Sequence, residues 1–177
     1  IGITCANING TQIGGRRNIF INGAMLVAQR GTSSTSQDFQ TVDRMKSNQS
    51  SIDEVATQAQ VDVASGTTPY TLGFRKAFKF TNGNQTSGAG SNDYVWIQQK
   101  IEAQNISQSG WNYTSTSSYI TLSFWVRSSV AQTFKGYIET IDGTAMQYPF
   151  ETGSLSANTW TKITKSIPGN SNLTFNN

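Results

Sequence analysis

The clearest alternation of apolar and polar residues runs through YITLSFWVRSS. There Ile120, Leu122, Phe124 and Val126 take one side of a two-residue repeat, and Tyr119, Thr121, Ser123, Trp125 and Arg127 the other. Side chains along a strand point alternately to opposite faces, so this segment predicts a half-buried strand with its aliphatic side inward. YVWIQQKIEA repeats the pattern, with Val95, Ile97 and Ile101 predicted toward a core and Tyr94, Trp96, Gln98, Lys100 and Glu102 on a partly solvated side. In VATQAQVDV the residues Val55, Thr57, Ala59, Val61 and Val63 share one face. TFKGYIETI, AMQYPFETG and WTKITKSIP follow at intervals of roughly ten residues, the cadence of a sandwich or barrel. Residues 70–80 read as a long β-prone stretch, and NIFINGAMLVAQRG as a strand or bulged strand around an Asn22-Gly23 turn signal. No segment keeps a helical period and no internal repeat is visible. The pattern predicts an all-β fold, an antiparallel β-sandwich of jelly-roll type over residues 18–177. Residues 1–17, rich in Gly and Asn and closing on Gly-Gly-Arg-Arg, predict an extended lead-in. TNGNQTSGAGSND is long for a connection and is a candidate functional edge.

Composition sharpens this picture. The chain of 177 residues suits one domain, and it holds 21 Ser, 22 Thr, 15 Asn and 14 Gln against only 13% charged residues. Helical bundles solvate their outer faces with Glu and Lys, so this balance disfavours them. Ile outnumbers Leu by 15 to 5, which again favours strands. Histidine is absent, which removes Ser-His-Asp and Cys-His nucleophiles, His-ligated metals and a histidine pH switch from this chain. The single Cys5 forms no intrachain disulfide. The net charge of +3 is dispersed, and the basic groupings Arg16-Arg17 and Arg75-Lys76 with Lys79 lack interleaved aromatics, so nucleic-acid binding is not expected. No apolar run reaches membrane-spanning length, and no membrane insertion is expected.

Three groups of residues are candidates for chemistry. Tyr94, Trp96 and Gln98, with Lys100, lie on one predicted strand face, and Trp125 and Arg127, with Thr121, on another. Aromatic rings suit carbohydrate because the C–H face of a pyranose lies flat on them, while Gln, Thr and Arg satisfy hydroxyls at the rim. Trp111 and Tyr113 stand in the Ser/Thr-rich segment SGWNYTSTSSY, which a rigid sandwich could present outward. The competing reading is packing: rings covered by a loop or another subunit, and Trp111 capping one end of the sandwich. Arg30, Asp43 and Arg44 read as a charge cluster that fixes loop geometry. The carboxylates Asp53, Glu54, Asp93, Glu102, Glu139, Asp142 and Glu151 fall in no catalytic or calcium-binding motif, so neither an enzyme nor a metal or other cofactor is expected.

The phrases RRNIFINGAMLVAQRGTS, TVDRM, YITLSFWVRSS and SANTWTKITKSIPG together resemble tail-fibre and related virion structural proteins of tailed bacteriophages. Those proteins carry a jelly-roll domain similar to carbohydrate-binding modules. The resemblance spans residues 16–169, and its most specific part runs from Asn22-Gly23 to Gln29-Arg30-Gly31-Thr32, followed by Asp43-Arg44. Met45 departs from it, since family members usually place a large aromatic there. They also continue with further strands beyond the point reached by LTFNN, so the sandwich is expected to be completed by further residues or by a neighbour. The resemblance implies a non-enzymatic fibre or head/tail appendage domain of an extracellular particle and a homotrimer. It further implies docking to other virion proteins through the N-terminal segment, and attachment to a host-surface glycan. Two rivals share the fold: a carbohydrate-binding module of a secreted glycan-degrading enzyme, and a capsid or appendage subunit with no ligand.

Overall fold

The computed structural model describes residues 18–176 except 85 and 89, together with two short strands near the start, β1 (Asn7–Ile8) and β2 (Thr11–Gln12), which pair antiparallel. The expected lead-in over 1–17 otherwise lies outside the described residues. The fold is all-β: among the described residues every strand pairing is antiparallel, and helix is confined to two short segments. The chain groups into two compact units, residues 20–100 and residues 101–177 with 1–19.

In the 20–100 unit, β3 (Ser33–Ser34), β5 (Thr57–Asp62) and β6 (Lys76–Thr81) form one sheet in the order β3-β5-β6, and β4 (Met45–Ser50) pairs with β7 (Tyr94–Gln99) in another. An isolated bridge between Asp38 and Ser47 adds a short third row beside β4. Val42, Met45, Ala56, Val63 and Pro69 are buried apolar residues of this unit. Met45, which stands where the resembled family has an aromatic, is buried against the Gln99 carboxamide, with Nε2 4.0 Å from Sδ.

Two expectations for this unit are overturned. Residues 18–32 contain no strand. The chain turns at Asn22, whose φ is +57°, and Met25 N donates to Asn22 O at 2.8 Å. Side-chain amides then supply what a neighbouring strand would have supplied. Asn22 Nδ2 donates to Val27 O and Asp43 O at 2.9 and 3.0 Å, Asn22 Oδ1 accepts from Val27 N at 3.1 Å, and Gln60 Nε2 donates to Met25 O at 2.6 Å. A carboxamide carries the same donor and acceptor as a peptide group, so it satisfies loop backbone without a ladder. In β5 the fully buried residue is Gln58, at 1% exposure; of the set that shares the other face, Val63 is buried and Val55, ahead of the strand, is 65% exposed. Gln58 Nε2 donates to Ser36 O and Asp38 O at 2.7 and 3.0 Å, and its Oε1 accepts from Thr41 Oγ1 at 3.1 Å. Finally, the stretch 70–80 begins in a helical turn, α1 (Thr68–Thr71), because Pro69 presets the first turn. The Arg75 guanidinium stacks 3.9 Å from the Tyr70 ring centroid and donates to Tyr70 O at 2.7 Å, and the strand starts only at Lys76.

The β6–β7 connection is tied down by carboxylates. Asp53 accepts from Ser87 N at 2.6 Å, Ser87 Oγ at 2.9 Å and Thr86 Oγ1 at 3.0 Å, while Glu54 accepts from Asn84 N and Asp93 from Gly90 N. The Ser87 backbone bond, assisted by the Ser87 and Thr86 hydroxyls, holds the Asp53 carboxyl below the ordinary value of 3.8. A lowered folded-state pKa favours the ionised form, so this clasp contributes fully above the ordinary value and is lost as pH falls through the lowered one. An NMR titration of the Ser87 amide is therefore expected to show a midpoint below 3.8 that disappears in Asp53→Asn. A midpoint at or above that value would contradict the clasp.

In the second unit, β8 (Tyr119–Val126) pairs with β11 (Thr161–Pro168) and β9 (Thr133–Thr140) with β10 (Met146–Ser154); α2 (Ala103–Ser107) precedes them. Burial along β8 alternates as its sequence predicts. Ile120, Leu122 and Phe124 are half-buried, opposite Ile167, Lys165 and Ile163, and Tyr119, Thr121 and Ser123 are exposed. Ile163, Ile167 and Leu155 are buried. Phe124 meets Phe150 edge to face at 6.3 Å, joining the β8–β11 pair to the β9–β10 pair. Gly136 leaves the space that the Phe150 ring fills.

Candidate carbohydrate-binding face

The antiparallel register of β4 with β7 sets Lys46 opposite Gln98, Asn48 opposite Trp96 and Ser50 opposite Tyr94. Residues paired in this way project to the same side of a sheet. Tyr94, Trp96 and Gln98 therefore share one face, joined by Lys46 and Asn48 from β4. Tyr94 is 50% exposed, while Trp96, Gln98 and Asn48 are half-buried. The set predicted inward on this strand is only partly covered: Val95 and Ile97 are 37% and 49% exposed, while Met45 and Ser47, on the same side of the sheet, are buried. Phe39 and Lys46 crowd the Trp96 side of the sheet, with Lys46 Nζ 5.7 Å from each of the Trp96 and Phe39 ring centroids. Lys46 Nζ also lies 3.1 Å from Asp38 Oδ1. The ammonium is thus held by a carboxylate and two rings, and it fixes Trp96 beside a polar surface.

The amides of this face differ from those elsewhere in the unit. Asn22, Gln58, Gln60 and Gln99 each spend their carboxamides on backbone carbonyls, Gln99 through Nε2 to Ile21 O at 2.8 Å. The Asn48 and Gln98 carboxamides have no hydrogen-bond partner among the described residues. Next to Trp96 and Tyr94 they offer donors and acceptors to an outside ligand.

The remaining candidates lie in the second unit and are more occupied. Trp111 Nε1 donates to Ser118 O at 3.2 Å, and Trp111, Tyr113 and Phe175 form a three-ring cluster with centroids 4.7–6.4 Å apart. Arg127 Nε donates to Asn158 O at 3.1 Å and so ties the β10–β11 connection to the end of β8. Trp125 lies on the outward side of β8 opposite Lys162, half-buried. Arg30 and Asp43 fix loop geometry separately: Arg30 Nη1 donates to Phe39 O, and the Asp43 carboxylate accepts from Gln29 N. Among the described residues no three cysteine or acidic side chains converge as metal ligands would.

Sequence reasoning missed Lys46, Asp38, Phe39 and Asn48. MKSNQS has too little apolar alternation to declare β4, and the Asp38–Ser47 bridge depends on a φ of +78° at Asp38 that no local pattern announces. Comparison with protein-family models, with curated proteins and with solved structures gives no match to this chain.

Proposed function

We propose that this chain is a non-enzymatic virion structural protein of a tailed bacteriophage. In this reading it is a jelly-roll fibre or head/tail appendage domain that attaches the extracellular particle to a host-surface glycan. The proposal joins the resemblance over residues 16–169 to one structural observation: two aromatic rings, Tyr94 and Trp96, beside the uncommitted amides of Asn48 and Gln98 on a single sheet face. Trp111, Tyr113 and Arg127, engaged in packing and loop contacts, serve the scaffold in this reading, and binding rests on the β4–β7 face. Such a face makes shallow contacts. A homotrimer would present three copies, and effective concentration would turn weak single sites into firm attachment. The N-terminal segment docks the trimer to other virion proteins.

The test is an array of bacterial surface glycans probed with the intact chain and with Trp96→Ala. The wild type is expected to bind a defined set, and loss of the ring to weaken binding at least about tenfold with circular dichroism unchanged. Equal binding by Trp96→Ala and the wild type would move the site elsewhere. Light scattering at three times the chain mass is expected, whereas a monomer would favour the carbohydrate-binding-module reading.

A further inference from the structure

Resting on that glycan reading, we infer that the β4–β7 face selects uncharged sugars bearing neighbouring hydroxyls over acidic ones. The selection lies in the Lys46–Asp38 pair. Lys46 Nζ is already engaged by Asp38 Oδ1 at 3.1 Å and by the rings of Phe39 and Trp96, and its side chain is only 20% exposed. The Asp38 side chain is 56% exposed, and Oδ2 takes no hydrogen bond among the described residues. The outward member of the pair is therefore the anion. An acidic sugar reaching for Lys46 would bring its carboxylate against Asp38, and like charges at contact distance repel. A neutral sugar meets no such conflict. One hydroxyl donates to Asp38, and its neighbour on the ring accepts from Lys46, because the short spacing of the pair matches adjacent hydroxyl oxygens. The Asn48 and Gln98 amides take further hydroxyls, and the pyranose C–H face lies on an aromatic ring.

The pair also predicts what its loss would do. Asp38→Asn keeps a residue type that tolerates the φ of +78°, so the loop is preserved while the anion is removed and Lys46 is released. The experiment is affinity electrophoresis of the intact chain in gels containing dextran, mannan or galactan, or the acidic polymers alginate or polygalacturonate. The wild type is expected to be retarded by at least one neutral polymer and by neither acidic one, with retardation unchanged between about 0.05 and 0.5 M salt. Asp38→Asn is expected to lose at least about tenfold toward the neutral polymer and to gain retardation in alginate. A wild type retarded only by the acidic polymers, weakening with salt, would overturn this inference and leave the glycan reading standing. No retardation in any gel, together with a silent glycan array, would overturn both. Asp38→Asn with unchanged preference would show that the pair only supports the loop, and would also overturn the inference.

Discussion

Replacing Gln58 by leucine is expected to destabilise the 20–100 unit by about 3 kcal/mol or more, an unusually large effect for removing a polar side chain. Leucine fills a similar volume and gains some apolar burial. It nevertheless strands the carbonyls of Ser36 and Asp38 and the Thr41 hydroxyl, which Gln58 serves at 2.7, 3.0 and 3.1 Å. A buried polar group left unpaired costs about 1–3 kcal/mol; the Thr41 hydroxyl is such a group, and the part-buried bonds to the Ser36 and Asp38 carbonyls are lost with it. Thr41 is itself buried at 2% exposure, so water does not readily replace the lost partner. Gln60→Leu is the natural comparison, since its Nε2 serves Met25 O and Leu26 O from a less buried position, and it is expected to cost distinctly less. Urea unfolding of the three proteins decides the matter. A Gln58→Leu midpoint equal to the wild type would mean that the segment 36–41 does not depend on this side chain.

Gly169→Ala is expected to be comparably damaging, at about 3 kcal/mol. A Cβ at this position would lie 2.5 Å from both Ser115 O and Tyr113 O. Both are backbone atoms, and Asn170 N donates to the same Tyr113 carbonyl at 2.8 Å while Gly169 N donates to Ser118 O at 2.9 Å. The 113–118 segment therefore cannot recede without breaking the bonds that attach it to the end of β11. Gly23→Ala is the control, because its Cβ would approach nothing closer than the Phe20 ring at 3.5 Å, and it is expected to be nearly silent. Thermal unfolding should place Gly169→Ala at least about 10 °C below the control. Because Trp111 Nε1 donates to Ser118 O and its ring meets Tyr113, both in the affected segment, the same variant should alter tryptophan emission before the main transition. Indistinguishable melting of the two variants would show that the close approach relaxes at little cost.

The contrast between β8 and β5 explains how much of this fold was legible. In β8 the inward residues are Ile, Leu and Phe, so hydrophobic alternation and burial coincide and the strand could be read directly. In β5 the inward residue is Gln58, whose reason for burial lies in carbonyls some twenty positions earlier in the chain. Period two groups Val55, Thr57, Ala59, Val61 and Val63 on one face, but it gives no ground for burying a glutamine on the other. Residues 18–32 mislead in the same way, since an apolar run around Asn-Gly resembles a hairpin until the amides that replace its ladder are known. The site follows suit: period two alone placed Tyr94, Trp96 and Gln98 on one face, whereas Lys46 and Asp38 joined them only through the register of β4 and the left-handed turn at Asp38.

The amide-tied segment at residues 20–44 also sets a chemical lifetime. An interior wired with neutral carboxamides is vulnerable to hydrolysis, and Asn22 precedes Gly23, where the unhindered backbone nitrogen most readily attacks the side-chain carbonyl. Conversion of Asn22 to aspartate would replace the Nδ2 that now donates to Val27 O and Asp43 O with an anionic oxygen facing both carbonyls. The three hydrogen bonds that hold the side chain in its turn oppose the rotation this attack requires. Deamidation at this one dipeptide is thus coupled to opening of the loop, and its rate becomes a clock for how long the 20–100 unit keeps its shape.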